Sequence, residues 1–110
     1  MLPMTWVIEL LDEVVEAELR ALPRDMLARF QRIVELIESQ GLEHVHEPHI
    51  KHLEDKLWEM RLKGRDGISR ALYVTARGKR LVVLRVFIKK TQKTPRKEIV
   101  LALKRAKEVN

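Results

Sequence analysis

The chain has no cysteine and few aromatic side chains. It therefore forms no disulfide, no thiolate metal site and no thiol nucleophile. Long apolar runs are also missing, because no stretch approaches the ~18 residues that cross a bilayer. The N-terminus lacks the basic segment of a secretory signal. We therefore expect one domain over residues 1–110, in the cytoplasm and without a membrane partner.

Acidic residues are absent from positions 67–97, which carry ten basic residues. Residues 1–66 instead hold nine basic and fourteen acidic side chains, so the net charge of +6 is polarised along the chain. The basic stretch contains two strand-like runs, which would hold its cations on a stiff backbone. Such a surface favours a polyanionic partner, and RNA is the partner that we predict.

Apolar periodicity predicts the elements of the first half. Alternation predicts a strand over residues 4–10, and helical spacing predicts an antiparallel helical hairpin over residues 12–40. Asp12 is expected to cap the first helix, Pro23 to begin the second and Gly41 to end it. Residues 42–52 lack periodicity and are predicted to form a loop.

The second half reads as a meander followed by a helix. Tight turns join three runs at 57–62, 68–75 and 81–88. Thr94 and Pro95 are expected at the N-cap and first position of a C-terminal helix. The fold class is therefore α+β in the order β-α-α-β-β-β-α, with an antiparallel sheet and the helices packed on one sheet face.

Strand alternation predicts which side chains face the core. In the last strand, Val82, Leu84, Val86 and Ile88 form the core face. Val83, Arg85, Phe87 and Lys89 then form the open face. In strand 57–62 the apolar set beginning with Trp58 turns inward, which sends Glu59 and Arg61 outward. Arg70 is in phase with apolar neighbours, which would turn it inward, and its orientation stays open.

Four histidines, at positions 44, 46, 49 and 52, fall within nine residues. They have no second cluster of ligands elsewhere, so we expect no metal site and no cofactor. His49 and His52 are instead candidates for a proton shuttle. Because no Ser/His/Asp pattern and no glycine-rich phosphate loop is present, any catalysis has to use Arg, Lys and His.

A resemblance rests on three strings: LWEMR at 57–61, RALY at 70–73 and VLRVFIKKTQKTP at 83–95. With the helix that follows, they resemble the phage-Gp49-like, HigB-type branch of the RelE/ParE toxins. The resemblance implies a RelE-like fold and the toxin half of a type II toxin–antitoxin pair. It further implies a metal-independent, ribosome-dependent mRNA endonuclease that inhibits translation. The partners implied are the ribosome, mRNA and a cognate antitoxin, often of helix-turn-helix type.

The resemblance also implies site residues. Arg61, Arg70, Lys89 and Lys90 would be catalytic. We ourselves predict a second set, which would bind RNA, namely Lys51, His52, Arg85 and Lys93. Two departures are visible: Glu59 stands where RelE-like enzymes have a lysine, and no Tyr or His follows Lys90 as the acid/base of relatives.

The chemistry suits this residue set. The RNA supplies its own nucleophile, a 2′-OH placed in line with the adjacent phosphate. Fixed Arg and Lys donors stabilise the charge that develops on the phosphoryl oxygens. Crowding by neighbouring cations lowers the pKa of a lysine, so Lys89 or Lys90 could accept a proton. Two alternatives stay open: a ParE-like inhibitor of DNA gyrase and a non-catalytic RNA-binding domain.

Overall fold

The computed structural model describes residues 5–89 and 92–110. Its helices and strands follow one another as β1 (Val7–Leu10), α1 (Glu13–Arg20), α2 (Arg24–Gln40), β2 (Ile50–Glu54), β3 (Leu57–Gly64), β4 (Gly67–Ala76), β5 (Arg80–Lys89) and α3 (Arg96–Ala106). A short 3₁₀ turn, Leu42–His44, follows α2. The α+β class is confirmed, and β2 is an additional strand in a segment that was predicted to be a loop.

The strands form one sheet in the order β1-β5-β4-β3-β2. β1 runs parallel to β5 and the other pairs are antiparallel, so the prediction of an antiparallel sheet is wrong at β1. The chain between β1 and its parallel neighbour β5 includes two helices and three strands, which is more than the long connection that a parallel pair requires. β2 escaped prediction because it is a short edge strand with a register shift between His52 and Glu54, which weakens its period-two pattern.

The predicted helix ends are partly confirmed. Asp12 caps α1, since its Oδ1 accepts a hydrogen bond from the Val15 amide at 3.0 Å. Gly41 ends α2 with a φ of +91°, a left-handed conformation that favours glycine. Pro23 is the N-cap of α2 rather than its first helical residue. The prediction for Thr94 is wrong: Pro95 is the N-cap of α3, and no side chain of the described residues caps this helix.

Helices cover both faces of the sheet, so the prediction that they share one face is also wrong. α1 and α2 pack on one face over a core that includes Met60, Ala71 and Tyr73. On the opposite face, α3 packs over a smaller core around Leu72 and Leu84. We call the first the hairpin face and the second the α3 face.

An irregularity in β5 changes the faces predicted for that strand. Leu72 lies opposite Arg85, whereas Tyr73 lies opposite Val83, so Leu84 is an extra residue in β5. Alternation therefore shifts by one position, as a β-bulge requires. Val83 and Val86 both belong to the hairpin face, while Phe87 joins the core of the α3 face. Ile88, predicted to be core, is exposed.

Candidate functional site

Basic side chains from three strands meet on the α3 face, next to the start of α3. Arg61 of β3 lies directly opposite Arg70 of β4, which lies opposite Phe87 of β5. Two residues beyond Phe87, Lys89 shares the same face because strand alternation has a period of two. The structure therefore brings together three of the four residues expected to be catalytic. The fourth, Lys90, lies outside the described residues.

Arg70 is the most buried cation of the site, with 4% of its surface exposed. Its open orientation is thereby decided: it points inward, in phase with Leu72 and Val74 of the α3-face core. Its Nε and Nη1 atoms are buried and make no hydrogen bond within residues 5–89 and 92–110. Burial lowers the pKa of Arg70, Glu59 opposes that shift, and the neighbouring charge of Arg61 adds to it. A buried guanidinium with open donor positions is disposed to receive an anion.

Glu59 lies at the centre of this cluster, which corrects the prediction that it points outward to solvent. Only 1% of its surface is exposed. Its Oε2 lies 3.3 Å from Arg70 Nε and 3.4 Å from Arg61 Nε. Its Oε1 accepts a hydrogen bond from the hydroxyl of Thr94. One carboxylate thus contacts two of the site's arginines and the segment that leads into α3.

Lys89 closes the other side of the site and is buried, with 8% of its surface exposed. Its ammonium group donates to the backbone carbonyl of Gln92. Burial lowers the pKa of Lys89, and the charge of Arg70 lowers it further. Glu59 works against these effects, and Arg61 and Lys51 add smaller lowering contributions. Crowding of this lysine by cations, predicted from the sequence, is therefore present, but burial is the larger cause.

The residues predicted to bind RNA do not all lie at this site. Lys51 lies opposite Glu59 and is exposed, so it extends the cluster onto β2. His52 alternates to the hairpin face, where its ring lies 4.9 Å from that of Trp58. Its Nε2 donates to the carbonyl oxygen of Asp55 at 2.7 Å. Trp58 itself, predicted to be core, is 36% exposed near the sheet edge.

Arg85 is held in ion pairs, although it was predicted to contact RNA. Its Nε lies 2.8 Å from Glu98 Oε1 in α3, and its Nη1 lies 2.8 Å from Glu18 Oε2 in α1. The hydrogen bond to Glu98 is the largest cause that raises the pKa of Arg85. Lys93 is exposed in the segment between β5 and α3.

Glu59 and Thr94 contact the cationic cluster, although the sequence analysis does not predict either as a site residue. A signal for Glu59 existed, because it is in phase with Leu57, which is fully buried in the α3-face core. Thr94 was read as a helix cap because Thr before Pro is a common start signal. Within residues 5–89 and 92–110, no group of three or more His, Asp or Glu side chains could hold a metal ion. No helix in the same ranges is long and apolar enough to span a membrane.

Comparison with solved structures defines the class of fold. The chain is similar to E. coli toxin RelE, solved as a double arginine-to-alanine mutant in the free state, with a TM-score of 0.65 and 16% identity. That match covers 93% of this chain and 98% of RelE. An archaeal RelE, in its complex with RelB from Pyrococcus horikoshii OT3, matches with a TM-score of 0.57 and 21% identity. This second match covers 79% of this chain and 98% of the archaeal chain.

The chain therefore has the RelE fold. It belongs to the phage-derived protein Gp49-like family, whose model matches residues 17–107. A comparison with curated protein sequences gives no significant match.

Proposed function

We propose that this protein is the toxin of a type II toxin–antitoxin pair and cleaves ribosome-bound mRNA. One observation carries the proposal: Arg70 is a buried guanidinium whose Nε and Nη1 make no hydrogen bond to any described residue, between Arg61 on β3 and Phe87 on β5. Structures retain unsatisfied buried donors at a cost in stability, which is typical of functional sites. The fold shared with RelE supports the same assignment.

In the proposed reaction the 2′-oxygen of the RNA attacks the adjacent phosphorus as its proton is removed. The bond from phosphorus to the 5′-oxygen of the next nucleotide breaks, and this oxygen takes a proton from water. The products are a 2′,3′-cyclic phosphate and a 5′-hydroxyl, so no bond to the protein forms and no metal is required. Arg70 and Arg61 stabilise the charge that develops on the phosphoryl oxygens. Lys51, exposed on the neighbouring strand, contacts the RNA backbone.

Lys89 is the candidate base for the 2′-OH proton. Burial and neighbouring cations lower its pKa toward the range in which a lysine accepts protons. Lys90, the next residue, stays a predicted catalytic residue. Of the predicted RNA-binding set, Lys51 and Lys93 retain that role in the proposal. Arg85, held by Glu98 and Glu18, instead connects α1, β5 and α3, and His52 belongs to the hairpin face.

The partners in this proposal are the ribosome with its mRNA, and a cognate antitoxin of helix-turn-helix type in the cytoplasm. The archaeal relative was solved together with RelB, which supports a protein partner for this fold. An acidic antitoxin segment over the cationic site would supply complementary charge.

The test is primer-extension mapping of mRNA in a cell-free translation reaction. Wild type is compared with Arg70→Ala and with Arg77→Ala, a matched loss of one arginine. Arg77 is exposed in the turn between β4 and β5, at the end of β5 away from Lys89. We expect cuts that need ribosomes with wild type and Arg77→Ala, and at least a ~100-fold loss with Arg70→Ala.

Other outcomes overturn the proposal in distinguishable ways. Intact mRNA with inhibited DNA gyrase would identify a ParE-like inhibitor. Salt-dependent RNA binding without cleavage or growth arrest would identify a non-catalytic RNA-binding domain. Cleavage that Arg70→Ala leaves unchanged, with normal folding, would remove Arg70 from the site.

A further inference from the structure

We infer that Glu59 and Thr94 form a positioning pair that sets the geometry of the two phosphate-binding arginines. This inference rests on the proposed function and deepens it, because neither residue belongs to the predicted catalytic set. Both act through other side chains, so neither is assigned contact with the RNA. Glu59 is the shared contact between Arg61, Arg70 and Thr94.

The two oxygens of Glu59 have separate tasks. Oε2 lies within 3.4 Å of the Nε atoms of both Arg61 and Arg70. The two guanidinium groups thus share one carboxylate oxygen as their ion-pair partner, which offsets the repulsion between them. Oε1 accepts a hydrogen bond from the hydroxyl of Thr94, and this bond fixes the rotation of the carboxylate. With its rotation free, Oε2 would not keep both arginines in one arrangement.

Thr94 is available for this task because it does not cap α3. The backbone carbonyl of Pro95 accepts from the amides of Glu98 and Ile99 at the helix start, and no side chain caps the helix. The hydroxyl of Thr94 instead reaches across to β3, over a sequence separation of 35 residues. The Thr94 side chain, which the Thr-Pro pair predicts as a helix cap, therefore binds Glu59 of the candidate site instead.

The negative charge of Glu59 also weakens the binding of a phosphate at this site. Glu59 places one negative charge among Arg61, Arg70 and Lys89, where a phosphate is proposed to bind. It raises the pKa of Lys89 against the effect of burial, and it weakens the attraction for RNA. Glu59 thus lowers the affinity for RNA but holds Arg61 and Arg70 in a defined geometry. That geometry raises the turnover rate rather than the binding of RNA.

The test uses substitutions that separate geometry from folding. Thr94→Val keeps the shape but loses the hydroxyl, Thr94→Ser keeps the hydroxyl, and Thr75→Val is a matched control at an exposed position of β4. In the ribosome-containing cleavage assay, we expect Thr94→Val to lower kcat about tenfold or more with little change in KM. Thr94→Ser and Thr75→Val should stay within about twofold of wild type. Equal rates for Thr94→Val and Thr94→Ser would overturn the inference.

Glu59→Gln tests the charge directly. Removal of one negative charge should tighten the binding of a non-cleavable 2′-O-methyl RNA by a few-fold, on the order of threefold, while kcat falls. If Glu59 only supported folding, its substitution would not raise the affinity for RNA and lower kcat at the same time. Weaker binding by a folded Glu59→Gln protein would contradict the inference.

A second readout does not depend on cleavage. In ¹H–¹⁵N spectra of the arginine Nε–H groups, Thr94→Val should shift or broaden the Arg61 and Arg70 signals and leave the Arg77 signal unchanged. If wild type fails to cut mRNA, the proposed function fails, yet these spectra still decide the positioning role. Unchanged Arg61 and Arg70 signals in Thr94→Val would exclude it.

Discussion

Tyr73 shows at the scale of one residue how this fold accommodates an unsatisfied polar group. It lies on the hairpin face of β4, fully packed in the core that α1 and α2 cover. Its hydroxyl is buried and has no hydrogen-bond partner in the part of the chain that the structure describes. Burial raises the pKa of its phenol well above the ordinary value of 10.0, because a phenolate would have to leave water.

Tyr73 is the only tyrosine in the chain, so the ultraviolet absorbance of phenolate reports on this residue alone. On titration to high pH, we expect phenolate to appear only together with loss of the native circular dichroism. In denaturant, the same protein should titrate near the ordinary pKa. Phenolate that forms while the dichroism stays native would show that the hydroxyl is accessible to water.

A second prediction at this scale concerns Lys89 and the pH dependence of the free energy of unfolding. Its folded-state pKa is lowered from 10.5, so between the two values the unfolded chain binds more protons than the native one. Stability from this group is therefore fully present above about pH 10.5 and is lost as the pH falls through the lowered value. Against Lys89→Met, the relative stability of wild type should rise with pH across that window.

Urea unfolding at a series of pH values measures this difference. The ionisation of Tyr73 is common to both proteins and cancels. A difference that is flat, or that falls as the pH rises, would contradict the lowered pKa of Lys89.

At the scale of elements, the outer edge of β5 depends on one carboxylate of α1. β1 pairs only with Arg80–Val83, which leaves the rest of that edge without a strand. Glu18 Oε1 accepts from the Val86 amide at 3.0 Å and lies 3.1 Å from Arg105 Nη1 of α3. Arg105 Nη1 also donates to the Leu84 carbonyl at 2.8 Å. Side chains of two helices thus satisfy backbone groups that a longer β1 would have paired.

We predict that Glu18→Ala destabilises the protein by about 3 kcal/mol, because Arg85, Arg105 and the Val86 amide all lose a half-buried partner. Glu16→Ala is the matched control, since Glu16 pairs with Arg20 on the exposed side of the same helix at 2.8 Å. That change should cost less than about 0.5 kcal/mol. Chemical denaturation of both variants measures the difference, and similar losses would show that Glu18 has no special structural role.

At the scale of the whole molecule, several arginines of the acid-free stretch 67–97 are already paired with carboxylates from other parts of the chain. Carboxylates from distant segments pair with Arg80, Arg85 and Arg96, supplied by Glu9, by Glu18 with Glu98, and by Glu54. Those arginines join elements to one another. Four other cations lie together at one end of the α3 face, where Lys51, Arg61 and Lys89 surround the buried Arg70.

This distribution predicts how RNA binding depends on salt. For a 2′-O-methyl RNA, each phosphate contact contributes about −0.7 to the slope of log affinity against log salt concentration. Arg70→Ala should reduce the magnitude of that slope by about 0.7. Arg77→Ala, which removes an exposed charge remote from the site, should leave it nearly unchanged. Fluorescence anisotropy at several salt concentrations measures both slopes, and equal effects would show that binding is spread over the whole surface.

The sequence by itself determined the class of fold and the strands that carry the site. Those features follow from local patterns: period-two alternation in β3 to β5, the Asp12 cap and the Gly41 stop. The resemblance to RelE-like toxins, carried by the same strands, predicts Arg61, Arg70 and Lys89 as site residues, and the three side chains lie on one face of the sheet.

Only the tertiary structure decided which of those charges lie together at the candidate site and which form ion pairs between elements. The extra residue Leu84 in β5 reversed the faces beyond it, and α3 covered a face that alternation alone had left open. The ion pair between Glu9 and Arg80 joins residues 71 positions apart, and Thr94 reaches Glu59 instead of capping its helix. Which partner a charged or polar side chain binds depends on the groups that the fold brings near it. Most of those groups are distant in sequence, so no local pattern predicts the outcome.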